Sequence, residues 1–153
     1  MKIGFTLLAL VIMIAPVFIY MAIPERDMAF ENDISIVRNV NKRNVDNYKV
    51  EQTFSVIIDQ EEIFVPKGYE TNLQSIPSII RKNYTPALSA YMLHSFLYDC
   101  PEFYTRYEVD VALYHALLIS GESHWNAFKS YLAVRLLSRP YFYKDMLCYD
   151  KFD

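Results

Sequence analysis

Glycine is scarce in this sequence: there are three in 153 residues, and only Gly68 and Gly121 lie beyond the first few positions. That excludes a glycine-rich phosphate loop and a dinucleotide-binding fingerprint, both of which need glycine where backbone approaches phosphate. Cysteine is limited to Cys100 and Cys148, with no Cys-x-x-Cys pair and no Cys/His spacing suited to zinc. The three histidines, His94, His115 and His124, form no zinc-protease motif. Ser75, Ser95 and Ser123 lack the glycine-flanked context of a nucleophile elbow. An excess of positive charge is missing too, since 15 basic residues stand against 18 acidic ones. A chain with that balance lacks the basic footprint that nucleic-acid binding requires. No cofactor or metal is implied.

What the chain does have is an uncharged apolar run from Ile3 to Ile23. At about 1.5 Å per residue a helix of that length is roughly 31 Å long, the thickness of a bilayer's hydrocarbon core. Two readings compete. A cleaved signal peptide would have an apolar stretch of about 7–15 residues and small residues before the cut. Here the stretch is longer, and Tyr20 is bulky two positions before Ala22, the best candidate cleavage residue. An uncleaved anchor over residues 1–24 is the preferred reading, with residues 3–23 in the lipid bilayer. Lys2 precedes the run, whereas Glu25, Arg26 and Asp27 follow it, so the N-terminus is expected in the cytoplasm and the rest outside. The expected arrangement is a single-pass membrane protein with the C-terminal domain extracytoplasmic. In that oxidising compartment Cys100 and Cys148 could form a disulfide.

After Pro24 the segment 25–47 is polar and reads as a tether with a short strand near Ile34–Val40. Residues 48–153 read as an α+β domain, a β-hairpin packed on about three helices. Val50, Phe54, Val56 and Ile58 alternate with polar residues as in a half-buried strand, Asp59-Gln60-Glu61 is a turn, and Ile63-Phe64-Val65 return. Thr85-Pro86 opens a first helix that stops before Pro101. Thr105 and Glu108 form a capping box for a second, which Gly121 ends. Ser123 caps a third, with Trp125, Phe128, Leu132 and Leu136 as its expected apolar stripe. Ten of the 13 tyrosines lie at or after Tyr84, placing aromatic bulk in the core with hydroxyls expected in water. For the tail at Tyr141-Phe142-Tyr143 a docking role is open.

The stretch Phe64-Val65-Pro66-Lys67-Gly68-Tyr69-Glu70-Thr71-Asn72-Leu73-Gln74-Ser75-Ile76-Pro77 resembles small phage and prophage proteins of uncharacterised function. Their signature is V-P-x-G-[FY]-x-T-D-x-x-S-I-P, then H-D-x-L-Y, an Arg and an Asp opening a helix, and Y-x-A-V-R. The corresponding positions are Pro66, Gly68, Thr71, Asn72, Ser75 and Pro77, then His94 to Tyr98, Arg106 with Asp110, and Tyr131 to Arg135. The resemblance covers about residues 48–138 and implies a phage context, not an activity. Two family carboxylates are replaced here, by Asn72 and by Ser95. A cation site or a proton relay that used them would be lost or weakened.

His94, Arg106 and Asp110 are the remaining constellation. Arg106 and Asp110 are neighbours on one helix face, and antiparallel packing could bring Asp110 to His94. An imidazole oriented by a carboxylate is the layout of a general base, so His94 and Asp110 are the candidate catalytic pair. The plainer reading is a buried polar cluster that fixes helix register. With the context that the resemblance implies, the expected function is a phage-type protein anchored in the inner membrane of the bacterial host, without catalysis, meeting an envelope or phage partner in lysis control or superinfection exclusion. The alternative is a divergent hydrolase of envelope lipid or peptidoglycan.

Overall fold

The computed structural model describes residues 19–32, 34–40, 46–81, 85–100 and 104–142, with Ala15 and Val17 before them. Six short strands precede three helices: β1 Met28–Phe30, β2 Ile36–Val40, β3 Asp46–Val50, β4 Phe54–Ile58, β5 Glu61–Val65 and β6 Glu70–Thr71, then α1 Thr85–Asp99, α2 Arg106–Ile119 and α3 His124–Leu137. A 3-10 turn, Arg139–Tyr141, follows α3. The strands make two small antiparallel sheets, β1-β4-β5 and β2-β3-β6.

The expected hairpin is β4–β5, with Ile58 opposite Glu61. Its two-residue loop, Asp59 and Gln60, has φ of 50° and 74°. Two positive φ values give the turn a twist that matches the flanking strands. The even apolar spacing from Val50 to Ile58 does not form one strand, however. The chain breaks at Glu51–Thr53, so that Val50 ends β3 in the second sheet and Phe54 begins β4 in the first. The break is fixed by other backbone: Val50 N–H donates to Tyr69 O (3.0 Å), and Gly68 N–H to Val50 O (2.8 Å). Gly68 has φ +90°, a conformation costly for any side chain. The polar segment after Pro24 contributes β1, paired with β4, and β2, paired with β3.

Helix α2 is central. It packs against α1 and α3, and it also touches β1. Val109, Asp110, Val111, Ala112, Leu113, Tyr114, Ala116 and Leu117 are all buried. Thr105 and Glu108 form the reciprocal capping box at its start, and Gly121, at φ +89°, closes its end. The apolar stripe of α3 differs from expectation. Its inward residues are Ala127, Phe128, Ser130, Tyr131 and Val134, whereas Trp125 is 64% and Leu136 77% exposed. Residues 127, 131 and 134 share one side of a helix, and their partly small side chains let α3 approach α2 closely. The tyrosine hydroxyls also depart from expectation. Tyr91 and Tyr98 are fully buried, and Tyr91 donates to Ile80 O at 2.9 Å.

Among the described residues no helix is long and apolar enough to cross a membrane. Most of the run from Ile3 to Ile23 lies outside them; its last turn is helical to Met21. That end is tied to the domain, since His115 Nε2 donates to Pro24 O at 2.9 Å. Cys100 is buried and disulfide-bonded. Cys148 and Tyr143 lie outside the described residues.

Candidate functional site

The site begins in the loop after β6. Two successive side chains fold the backbone back: Thr71 Oγ1 accepts from Leu73 N–H (3.1 Å) and Asn72 Oδ1 from Gln74 N–H (3.2 Å). Between them Leu73 is fully buried with φ +56°. A non-glycine residue there is strained and is held in place only by its surroundings. Part of the restraint is Arg81, whose Nη2 donates to Leu73 O (2.7 Å) and Ile76 O (2.8 Å). Ser138, beyond α3, donates to Ser75 O at 2.6 Å. The loop thus presents the Ser75 side chain to α1.

Helices α1 and α2 supply the centre. Asp110, with no exposed surface, accepts from His94 Nε2 (3.1 Å) and Tyr98 Oη (2.6 Å) through Oδ1. Its Oδ2 accepts from Arg135 Nη1 at 2.9 Å and faces Arg106 Nε at 3.5 Å. Arg106 also donates through Nη2 to the carbonyl of Arg135, joining α2 to α3. The guanidinium of Arg135 lies over the Tyr107 ring, 5.6 Å from its centroid. With Nε2 donating to the carboxylate, His94 Nδ1 is the acceptor for the Ser75 hydroxyl at 3.3 Å. Ser75 spends its proton there, so the Ser95 hydroxyl, at 2.9 Å, donates to Ser75. The result is a chain from Asp110 through His94 and Ser75 to Ser95.

Its electrostatics favour neutral imidazole. Burial pushes the His94 pKa below its ordinary value, against the pull of Asp110, and the Arg106 charge adds to the depression. Burial alone would raise the Asp110 pKa, yet the bonds from His94, Tyr98 and Arg135 hold it below the usual range. Burial, then the Asp110 charge, drives the Tyr98 hydroxyl far above its ordinary value. At neutral pH the cluster holds one carboxylate against two guanidiniums. A protonated His94 would add a third positive group in a buried place, which is unfavourable for a general base.

Ser75 and Ser95 line a polar cleft of about 370 Å³, along with Asn72, Tyr98, Asp99 and Tyr141. Asn72 and Ser95, far apart in sequence, therefore line the same cleft. Asp99 accepts from Tyr69 Oη at 2.7 Å, and Tyr98 packs edge-on against Phe142, ring centroids 5.1 Å apart. Among the described residues no group of three or more His, Cys, Asp or Glu side chains is placed to hold a metal ion.

The structure brings His94, Arg106 and Asp110 together, and adds Ser75, Tyr98 and Arg135, none of which the sequence joins to Asp110. Helix spacing does set Tyr98 one turn beyond His94 on the same face, but not its bond to Asp110. Nothing local ties Arg135 or Ser75 to Asp110, since each arrives from a different element. Pro66 and Pro77 shape the loop, with Tyr69 N–H donating to Pro66 O at 3.1 Å and Ile80 N–H to Pro77 O at 3.1 Å. His124 accepts from or donates to Tyr114 Oη at 3.0 Å, away from the cluster.

The family model described as "Protein of unknown function (DUF1353)" matches residues 48–134, more than half of the chain. That span contains the loop, both helices and all of the cluster except Arg135 and Ser138. No curated protein and no solved structure matches.

Proposed function

Because the chain belongs to this DUF1353 family, whose function is unknown, its role has to come from its own site, and we propose that it is a membrane-anchored interaction protein of the bacterial envelope whose domain binds without catalysing. One observation carries the non-catalytic part: His94 and Asp110 are sealed from solvent, and each of their polar atoms already has a partner. The two arginines around Asp110 offset the charge that would otherwise stabilise an imidazolium. Such a cluster holds α1, α2, α3 and the Ser75 loop in one register, and so shapes the cleft beside it. Anchoring rests on the uncharged run from Ile3 to Ile23. The signature shared with phage and prophage proteins supports a phage-encoded role at the envelope, such as lysis control or superinfection exclusion.

A second reading has its own observation. The Ser75 hydroxyl donates to a neutral His94 and lies on the cleft wall. Carboxylate, imidazole and hydroxyl in that order could serve a hydrolase acting on envelope lipid or peptidoglycan. A fluorophosphonate probe, which labels activated serines, separates the two. The expected result is no labelling of the folded protein. Labelling at Ser75 that disappears in the Ser75→Ala variant would overturn the non-catalytic reading. Crosslinking in membranes of expressing cells should then identify the envelope partner, and recovery of the protein only in the soluble fraction would remove the anchor.

A further inference from the structure

The exposed side of α3 is unlike the surface of an ordinary solvated helix. Trp125, Lys129, Leu132 and Leu136 fall at spacings that share one face, and Trp125 (64%), Leu136 (77%) and Leu137 (56%) are exposed. Single exposed apolar residues are common, but a stripe of large ones along one helix marks a contact surface. Leu132 is partly buried beside it, and Lys129 Nζ sits 5.8 Å from the Trp125 ring centroid.

What covers this face is indicated by where the N-terminal run ends. Tyr20 packs edge-on against Phe128 of α3, ring centroids 5.3 Å apart, and its hydroxyl reaches His124 Nδ1 at 3.5 Å. Val17, one turn earlier, faces Trp125 and Phe128 across an apolar groove of about 260 Å³. On the other side of the run, Tyr107 Oη donates to Ala22 O at 3.4 Å. The end of the apolar run is therefore held beside the first turn of α3. Val17, Tyr20 and Ala22, which touch the domain, would then stand at the headgroup level, and a bilayer entered by the part of the run before them has its surface roughly within two helical turns, ~10 Å, of Trp125. Tyr20, Tyr107 and Trp125, all more than a third exposed, surround the point of exit. Indole and phenol rings with a nearby lysine are the side chains that settle at the headgroup level, apolar body inward and polar group toward phosphate.

We propose that the outer face of α3, from Trp125 to Leu136, rests on the phospholipid surface from which the N-terminal run emerges. This rests on the anchor reading above. The bilayer is preferred to a protein partner because the run that would enter it ends on this same helix. The domain is then held close against the membrane with α3 as its base.

Trp125 is the single tryptophan of the chain, so its fluorescence reports this face alone. The full-length protein is reconstituted into phosphatidylcholine–phosphatidylglycerol vesicles, with or without phospholipid brominated near the headgroup end of the acyl chain. Vesicle flotation is measured in parallel. The expected result is co-flotation, blue-shifted emission, protection from aqueous acrylamide, and about twofold quenching by the brominated lipid. Leu136→Glu, far along the helix from the exit point and exposed enough to leave the fold intact, should remove most of that quenching. Co-flotation with emission that acrylamide quenches and brominated lipid does not would leave the anchor standing and overturn the docking. Shielded emission that ignores brominated lipid would mean a protein covers the face, and also overturns it. Quenching unchanged by Leu136→Glu would confine the contact to the exit point, against the proposal. Failure to float would remove the anchor itself.

Discussion

Replacing Asp110 by asparagine keeps the shape of the side chain and removes only its charge. In the native cluster Oδ1 takes donors from His94 and Tyr98, and Oδ2 takes Arg135 and faces Arg106. Asparagine has one acceptor oxygen for these four donors. Whichever way the amide turns, its NH2 faces either the Tyr98–His94 pair or the guanidiniums, donor against donor. Breaking a buried pair by removing one partner costs about 3–5 kcal/mol. Two features argue for the lower end: the Arg106 and Arg135 side chains are 16% and 32% exposed, so water can take up part of their unbalanced charge. The expected loss is about 3 kcal/mol, a large share of the roughly 5–15 kcal/mol that holds a typical domain together. For a domain of about 100 residues that lowers Tm by roughly 12–20 °C. Circular dichroism melts of the full chain in detergent, with urea midpoints as a check on the free energy, would measure it. A Tm within a few degrees of the native protein would refute the account of Asp110 as the point that joins three helices.

Acid sensitivity should follow from His94. Its folded pKa lies below the ordinary 6.5, so on acidification the unfolded chain takes the proton first; stability is flat above about pH 6.5 and falls below it. Asp110, depressed below 3.8, adds a further loss only under about pH 4. Urea midpoints between about pH 5 and 7.5 should show the His94 slope, and His94→Gln should flatten it. Gly121→Ala meets no neighbouring atom but must keep φ +89°, so it should cost about 1 kcal/mol; an unchanged urea midpoint would contradict the cap. Reduction of the Cys100 disulfide should cost up to about 4 kcal/mol if it closes the loop of roughly 50 residues to Cys148. Labelling two free thiols in the denatured, unreduced protein would exclude that bond.

The helices were legible because their ends carry local chemistry. The capping box at Thr105 and Glu108 and the left-handed Gly121 are read within a few residues of the chain, and Ser123 Oγ accepts from Asn126 N–H at 3.3 Å as its position before α3 suggests. The hairpin turn at Asp59-Gln60 was legible for the same reason. The division of the strands between two sheets was not, because alternation continues across Glu51–Thr53 while the pairing partners, β1 and Tyr69, lie outside any local window. The inward side of α3 was misread because large apolar residues occur on both of its sides, and periodicity cannot say which one meets α2. At the site, helix spacing joined Arg106 to Asp110 and suggested His94. Ser75, Tyr98 and Arg135 gained their roles only from the fold, which draws three helices around one carboxylate and sets the Ser75 loop against its histidine.

The distribution of those segments along the chain also sets an order of assembly. His94, Tyr98, Arg106 and Asp110 come within a span of two helices, but Arg135 and Ser138 arrive later. During synthesis from the N-terminus, a chain stopped just short of Arg135 holds Asp110 with Arg106 as its one guanidinium, and the Ser75 loop still lacks the hydroxyl that fixes its carbonyl. The cleft wall formed by Ser75 and Ser95 therefore takes its final shape only after the end of α3 has been made. A chain released a few residues early lacks both the Arg135 bond to Asp110 and the Ser138 bond to the Ser75 carbonyl, and with them two of the restraints on the cleft.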